Sequence, residues 1–208
     1  PKSVLKISSR IGQNRFPHSE DRLPDRQEFG SLPAQLGSEI RPSMNLHAML
    51  VERAAAEKPV RVGVIGAGKF GSMYLSQAPR TAGIQILGIA DLAPDSARAA
   101  LARVGWPASQ YAASSFDDAR NNGQTFITED AEALIAAVDV VVDATGSPSA
   151  GVRHALLACE HGTHIIMVNV EADVLAGPLL AEKAAAAGIV YSMAYGDQPA
   201  LICEMVDW

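Results

Sequence analysis

Apolar positions along the chain gather into short continuous runs separated by stretches with helical spacing. Val60-Arg61-Val62-Gly63-Val64-Ile65, Ile84 to Ala90, Val138 to Asp143, His164 to Val168 and Ile189 to Ala194 are short, β-branched-rich and nearly free of polar interruption, and Thr125 to Thr128 adds a briefer run. Such runs suit strands covered on both faces, as in a parallel sheet, because a strand with one wet face would alternate. Leu46, Met49, Leu50, Arg53 and Ala54 recur at helical spacing from Met44, and Lys58-Pro59 ends that helix. Further helices are expected from the glycine-rich turn at 66–71 to about Ala78, from Pro94 to about Val104, over Asp130 to Ala137, over Ser149 to His161, and from Val174 to Ala187. Pro79, Gly105-Trp106-Pro107 and Gly188 stand at helix ends, and residues 108–123 read as irregular or partly helical.

Strand and helix alternate throughout. Strands joined by right-handed helical crossovers make an α/β fold, here a Rossmann-type, doubly wound, parallel six-stranded sheet. The sheet is complete by about residue 195, so residues 44–198 are read as one dinucleotide-binding domain. Residues 199–208 then read as the start of a truncated catalytic domain, with Pro199 opening a new helix. Residues 1–43 hold Pro17, Pro24, Pro33 and Pro42 without sustained apolar periodicity, and read as a disordered leader or an upstream extension before Met44.

Charge sharpens that division. The first 43 residues carry seven Lys or Arg against five Asp or Glu, while the other 165 carry ten against eighteen, within a net charge of −6. An acidic folded part with 5% aromatic residues offers no footprint for nucleic acid. No apolar run approaches the roughly 20 residues of a membrane span. Cys159 and Cys203, without CxxC spacing, indicate neither disulfides nor zinc. His154, His161 and His164 show no metal-ligand arrangement and read as partly buried or surface imidazoles, so no metal site is assigned. A cytoplasmic setting is expected.

The chemistry concentrates at the first strand's exit. Gly66-Ala67-Gly68-Lys69-Phe70-Gly71 follows a buried strand and opens a helix, and Asp91 closes the next strand. Gly66 permits a tight turn, Gly68 lets backbone approach a pyrophosphate, and Gly71 lets the helix pack on the strand. The helix N-terminus presents free N–H groups and partial positive charge to phosphates. Asp91 is placed to accept hydrogen bonds from ribose hydroxyls, which favours NAD, since a 2′-phosphate would meet a carboxylate. Three loops close the carboxyl ends of the later strands: Thr145-Gly146-Ser147-Pro148, Asn169-Val170-Glu171 and Tyr195-Gly196-Asp197-Gln198-Pro199. Thr145, Gly146, Ser147 and Asn169 are candidate cofactor contacts, and Glu171 and Asp197 are the weak catalytic candidates. Asp139 is expected at the entrance of the fourth strand and Asp143 at its exit.

The stretches VRVGVIGAGKFG from Val60, Gly88 to Asp91, and VDVVVDATGSP from Val138 resemble the NAD(P)-binding domain of homoserine-dehydrogenase-like oxidoreductases. GAGKFGSMYLSQ, the excursion at 108–123 and VNVEADVLAGPLL followed by AYGDQPALICEMVDW resemble more narrowly the bacterial 1-deoxy-D-xylulose 5-phosphate reductoisomerase-like proteins, built with a further catalytic domain and a SAF domain. The resemblance covers residues 44–208. It implies NADPH-dependent conversion of 1-deoxy-D-xylulose 5-phosphate to 2-C-methyl-D-erythritol 4-phosphate in isoprenoid biosynthesis, with a phosphorylated small molecule as substrate and a homo-oligomer at full length. NADP is thus the expected cofactor, with NAD the alternative favoured by Asp91. In homoserine dehydrogenases the loop after the fifth strand carries a lysine where Glu171 stands here, which sets this chain apart from homoserine oxidation. A homoserine-dehydrogenase-like or sugar dehydrogenase remains the alternative enzyme, and a non-catalytic dinucleotide sensor the alternative of another class.

Overall fold

The computed structural model describes residues 45–194. The expected leader at 1–43, the start of a further domain at 199–208, and Asp197 lie outside the described residues. Six strands, β1 (Val60–Ile65), β2 (Ile84–Ala90), β3 (Phe126–Thr128), β4 (Val140–Asp143), β5 (His164–Met167) and β6 (Tyr191–Met193), form one sheet in the order β3-β2-β1-β4-β5-β6. Every neighbouring pair is parallel. The order reverses between β1 and β4, and there the helices leave the sheet on opposite faces, opening a crevice beyond the strands' carboxyl ends.

The described residues hold seven α-helices, α1 (Leu46–Ala55) ahead of the first strand and α2 (Lys69–Gln77), α3 (Pro94–Arg103), α4 (Phe116–Asn122), α5 (Ala131–Ala137), α6 (Pro148–His161) and α7 (Val170–Ala187) between strands. Alternation along the strands sorts side chains into two cores, with one break in β2, where the register against β1 skips Leu87 and puts it and Ile89 on opposite faces. Val62, Val64, Ile89 and Val142 meet Leu75 of α2 and Ala97 and Leu101 of α3. Ile65, Leu87, Val141, Ile165 and Met167 meet α5, α6 and α7 through Leu134, Ala155, Ala158, Leu180 and Ala184. Trp106 seals the first core, its Nε1–H donating to the Leu75 carbonyl at 2.8 Å.

The expected α/β alternation holds, with differences at particular boundaries. β4 begins at Val140, because Asp139 is held just before it by the Arg61 guanidinium and backbone N–H. Burial opposes ionisation there, yet the Arg61 hydrogen bonds and charge hold Asp139 below the usual carboxylate range. The excursion at 108–123 contains a 3₁₀ turn (Ala108–Tyr111) and α4, which Ser115 caps by accepting from the Asp118 N–H. α7 starts at Val170, a full turn before the expected Val174, because Asn169 is its N-cap and accepts from the Ala172 N–H at 3.1 Å. β6 is joined to α7 where the Tyr191 hydroxyl donates to Asp173 Oδ1 at 2.8 Å. Burial, with that carboxylate beside it, pushes the phenol pKa up.

Candidate functional site

The turn from β1 into α2 is built by its glycines. Gly66 has φ +92°, a left-handed conformation that side chains resist. A Cβ on Gly71 would run into the Gly66 carbonyl oxygen, so this glycine seats α2 against the turn. Gly68 is different: its φ is −67°, and nothing in the protein lies within 4 Å of where its Cβ would stand. Neither strain nor packing calls for glycine there, and what a side chain would occupy is open space over the helix N-terminus.

That N-terminus is left uncapped. α4, α5, α6 and α7 are each capped by a side chain, from Ser115, Asp130, Ser147 and Asn169 respectively. α2 has Gly68 as its N-cap and no side-chain cap bond. Its first-turn N–H groups therefore face outward without a side-chain acceptor, beside the positive end of the helix dipole. This arrangement suits an anion such as a pyrophosphate. Lys69 and Phe70 are exposed beside it, and Ala67 is buried beneath.

Asp91 ties the second strand to this turn. Its Oδ2 accepts from the Ala67 N–H at 2.8 Å and its Oδ1 from the Ala93 N–H at 2.9 Å. Both oxygens keep further lone pairs. A cleft of about 430 Å³ opens alongside, its walls including Gly66, Asp91, Leu92, Glu129, Thr145, Gly146, Ser147 and His154. It has the size of a small-molecule site. Asp91 and Glu129 are its charged walls, and among the described residues no Lys or Arg lines it.

Beneath the Thr145–Ser147 loop lies a buried polar chain that the sequence reading did not anticipate. Asp143 is fully buried, and its Oδ1 accepts from both the N–H and the hydroxyl of Thr145, at 2.9 and 2.6 Å. His154, read above as partly buried or at the surface, is 8% exposed and sets Nδ1 2.7 Å from Asp143 Oδ2. Asn169 donates from Nδ2 to Thr145 Oγ1 at 3.0 Å and to the Ser147 carbonyl at 2.8 Å. With its Oδ1 on the Ala172 N–H and 2% of its surface exposed, Asn169 is turned into the protein, where it positions the loop from below. The detectable signal was periodicity: His154 falls on the same α6 stripe as the buried Gly151, Ala155 and Ala158. Replacing Asn169 with Ala removes a helix cap and leaves two loop groups unpaired, and is expected to cost about 2 kcal/mol in urea unfolding.

Glu171, expected in a loop, lies in the first turn of α7 and is exposed, because Asn169 starts the helix before it. An acid at that position favours the helix dipole, and Glu171 does not line the cleft. A larger concavity, about 640 Å³, lies at the strands' amino ends, lined by Arg53, Lys58, Arg61, Arg120 and Asp139 among others. Two of those arginines are paired, Arg61 with Asp139 and Arg120 with Asp117, so that region reads as a surface network. Among the described residues no three His, Cys, Asp or Glu cluster as metal ligands would, and no helix is long and apolar enough to cross a membrane.

Comparison with protein families matches residues 62–192 to "Homoserine dehydrogenase, NAD binding domain". The chain belongs to this family. The match begins in β1 and ends in β6, so it encloses the glycine turn, Asp91, the Thr145–Ser147 loop and the Asp143–His154 pair. Comparison with curated proteins finds no similar sequence. Among solved structures, a homoserine dehydrogenase from Thiobacillus denitrificans is similar at 20% identity and a TM-score of 0.51, over 65% of this chain and 29% of that one. A myo-inositol dehydrogenase from Lactobacillus casei, solved with NAD(H) and myo-inositol, is similar at 16% identity and a TM-score of 0.51, over 72% of this chain and 41% of that one. At these identities the likeness is one of fold. The chain spans less than half the length of either structure.

Proposed function

We propose that this domain binds NAD(H) and serves an oxidoreductase that transfers hydride to or from a small molecule. The observation that carries the reading is the pairing of an uncapped α2 N-terminus under Gly68 with the Asp91 carboxylate one strand away. When bound, the dinucleotide supplies the hydride carrier. The first-turn N–H groups of α2 would hold its pyrophosphate, and Asp91 would accept from the ribose hydroxyls while remaining fixed by Ala67 and Ala93. The Thr145–Ser147 loop, held from below by Asp143 and Asn169, would carry the nicotinamide side of the crevice on a rigid support.

NAD is favoured over the NADP implied by the reductoisomerase resemblance. A 2′-phosphate would lie against the Asp91 carboxylate, with Glu129 as a second acid in the cleft and, among the described residues, no arginine in its lining. Replacing Asp91 with Ser is expected to weaken NAD binding about tenfold, by removing charge-assisted hydrogen bonds, and to narrow the gap to NADP by at least as much. Titrating wild type and variant with both cofactors measures this, and an unchanged NAD-to-NADP ratio would reduce Asp91 to a loop support.

For the substrate, we carry the deoxyxylulose phosphate reductoisomerase-like reading, supported by VNVEADVLAGPLL along α7 and by Glu171 where homoserine dehydrogenases carry lysine. Comparing reduction of 1-deoxy-D-xylulose 5-phosphate with oxidation of homoserine by the intact protein decides it. Turnover of homoserine alone would replace it with the homoserine-dehydrogenase-like alternative.

A further inference from the structure

We propose that Gly151 is a positioning residue for the nicotinamide end of the cofactor, acting through the Asn169 amide for which it leaves room. The inference rests on the dinucleotide reading above and deepens it. Glycine is the poorest helix former after proline, yet Gly151 is the fourth residue of α6, and it has no left-handed φ to require it. Packing requires it instead. A Cβ there would stand 2.6 Å from the Ala172 Cβ and 2.8 Å from the Asn169 Nδ2, closer than unbonded atoms pack.

These contacts fix the spacing of α6 and α7 where both helices begin. Ser147 caps α6 and Asn169 caps α7, and the Asn169 amide joins the two caps by donating to the Ser147 carbonyl at 2.8 Å. Its other hydrogen goes to Thr145 Oγ1 at 3.0 Å, and the Thr145 hydroxyl donates in turn to Asp143, so this amide has no donor to spare. A methyl group on Gly151 leaves two reliefs: the amide turns away, or α7 moves off α6 and takes the amide with it. Either one removes the support beneath the Thr145–Ser147 loop, while the α2 turn and Asp91, carried by β1 and β2, keep theirs. Gly146 in that loop lines the cleft and has open space where a Cβ would stand. The loop thus offers bare backbone to a ring lying over it, and Gly151 sets where that backbone lies.

The test is titration of the chain with ADP-ribose, which lacks the nicotinamide, and with NADH, whose emission comes from the reduced nicotinamide ring. Gly151→Ala is expected to bind ADP-ribose within about twofold of wild type and NADH at least about fivefold more weakly, and to lose the change in NADH emission that wild type gives on binding. A glycine needed only for packing would lower the urea midpoint and leave the folded variant binding both ligands as wild type does. Should Gly151→Ala fail to fold, Asn169→Asp decides, because it keeps an oxygen for the Ala172 N–H and takes away both amide donors. The same split between the two ligands is expected of it. Equal effects on ADP-ribose and NADH, or none on either, would overturn the role of Gly151 while leaving the dinucleotide reading in place, whereas absence of binding of either ligand by wild type would overturn both.

Discussion

Replacing Gly68 with valine is expected to raise the dissociation constant for NAD by about a hundredfold or more while changing unfolding free energy by no more than about 1 kcal/mol. The two effects separate because of where this glycine stands. Its φ of −67° is open to any L-residue, and no protein atom lies within 4 Å of the missing Cβ. The fold therefore loses only the modest N-cap preference for glycine over a β-branched residue. The ligand loses its seat, since branched carbons would fill the space over the first-turn N–H groups of α2, and those groups act at hydrogen-bonding distance or hardly at all. Calorimetric titration with NAD and urea unfolding of the same preparation measure both quantities. Retained affinity in a folded variant would show that the turn is a structural corner and nothing more.

Gly71 is expected to give the opposite outcome. Its Cβ would strike the Gly66 carbonyl oxygen, which is backbone and cannot turn aside as a flexible side chain can, and behind it stands Val64 Cγ1 at 3.8 Å. Relief requires α2 to lift from the turn and carry Leu75 away from Val64, both fully buried in the core they share. Gly71→Ala is expected to lower stability by about 3 kcal/mol, at the upper end of overpacking, seen as a fall in the urea midpoint. Any loss of NAD affinity then follows from loss of fold. A variant as stable as wild type would mean that α2 has freedom to shift that the packing of Leu75 does not suggest.

These two glycines show why the sheet was legible in the sequence and the site only in part. The strands announce themselves because burial on both faces forces continuous apolar runs, and the order of strands and helices follows from right-handed crossovers. The glycine turn and Asp91 are legible because a tight turn, a helix start and an acid one strand later make a local pattern. What escaped the sequence depends on side chains from distant elements meeting. Asn169 looked like a loop residue pointing at ligand, yet it caps α7 and holds the Thr145–Ser147 loop from beneath. That cap also moved Glu171 from a loop into a helix. His154 was one histidine among several until α6 laid it against Asp143, eleven residues earlier in the chain. Proximity of this kind has no signature in spacing beyond a polar residue on an apolar stripe.

The cleft beyond β1, β2 and β4 is the site we propose for NAD. Calorimetric titration of the chain with NAD, then with NADP, tests it most directly. Saturable binding of one NAD per chain is expected, with NADP at least about tenfold weaker because of Asp91. No saturable binding of either cofactor at millimolar concentration, or tighter binding of NADP than of NAD, would contradict it.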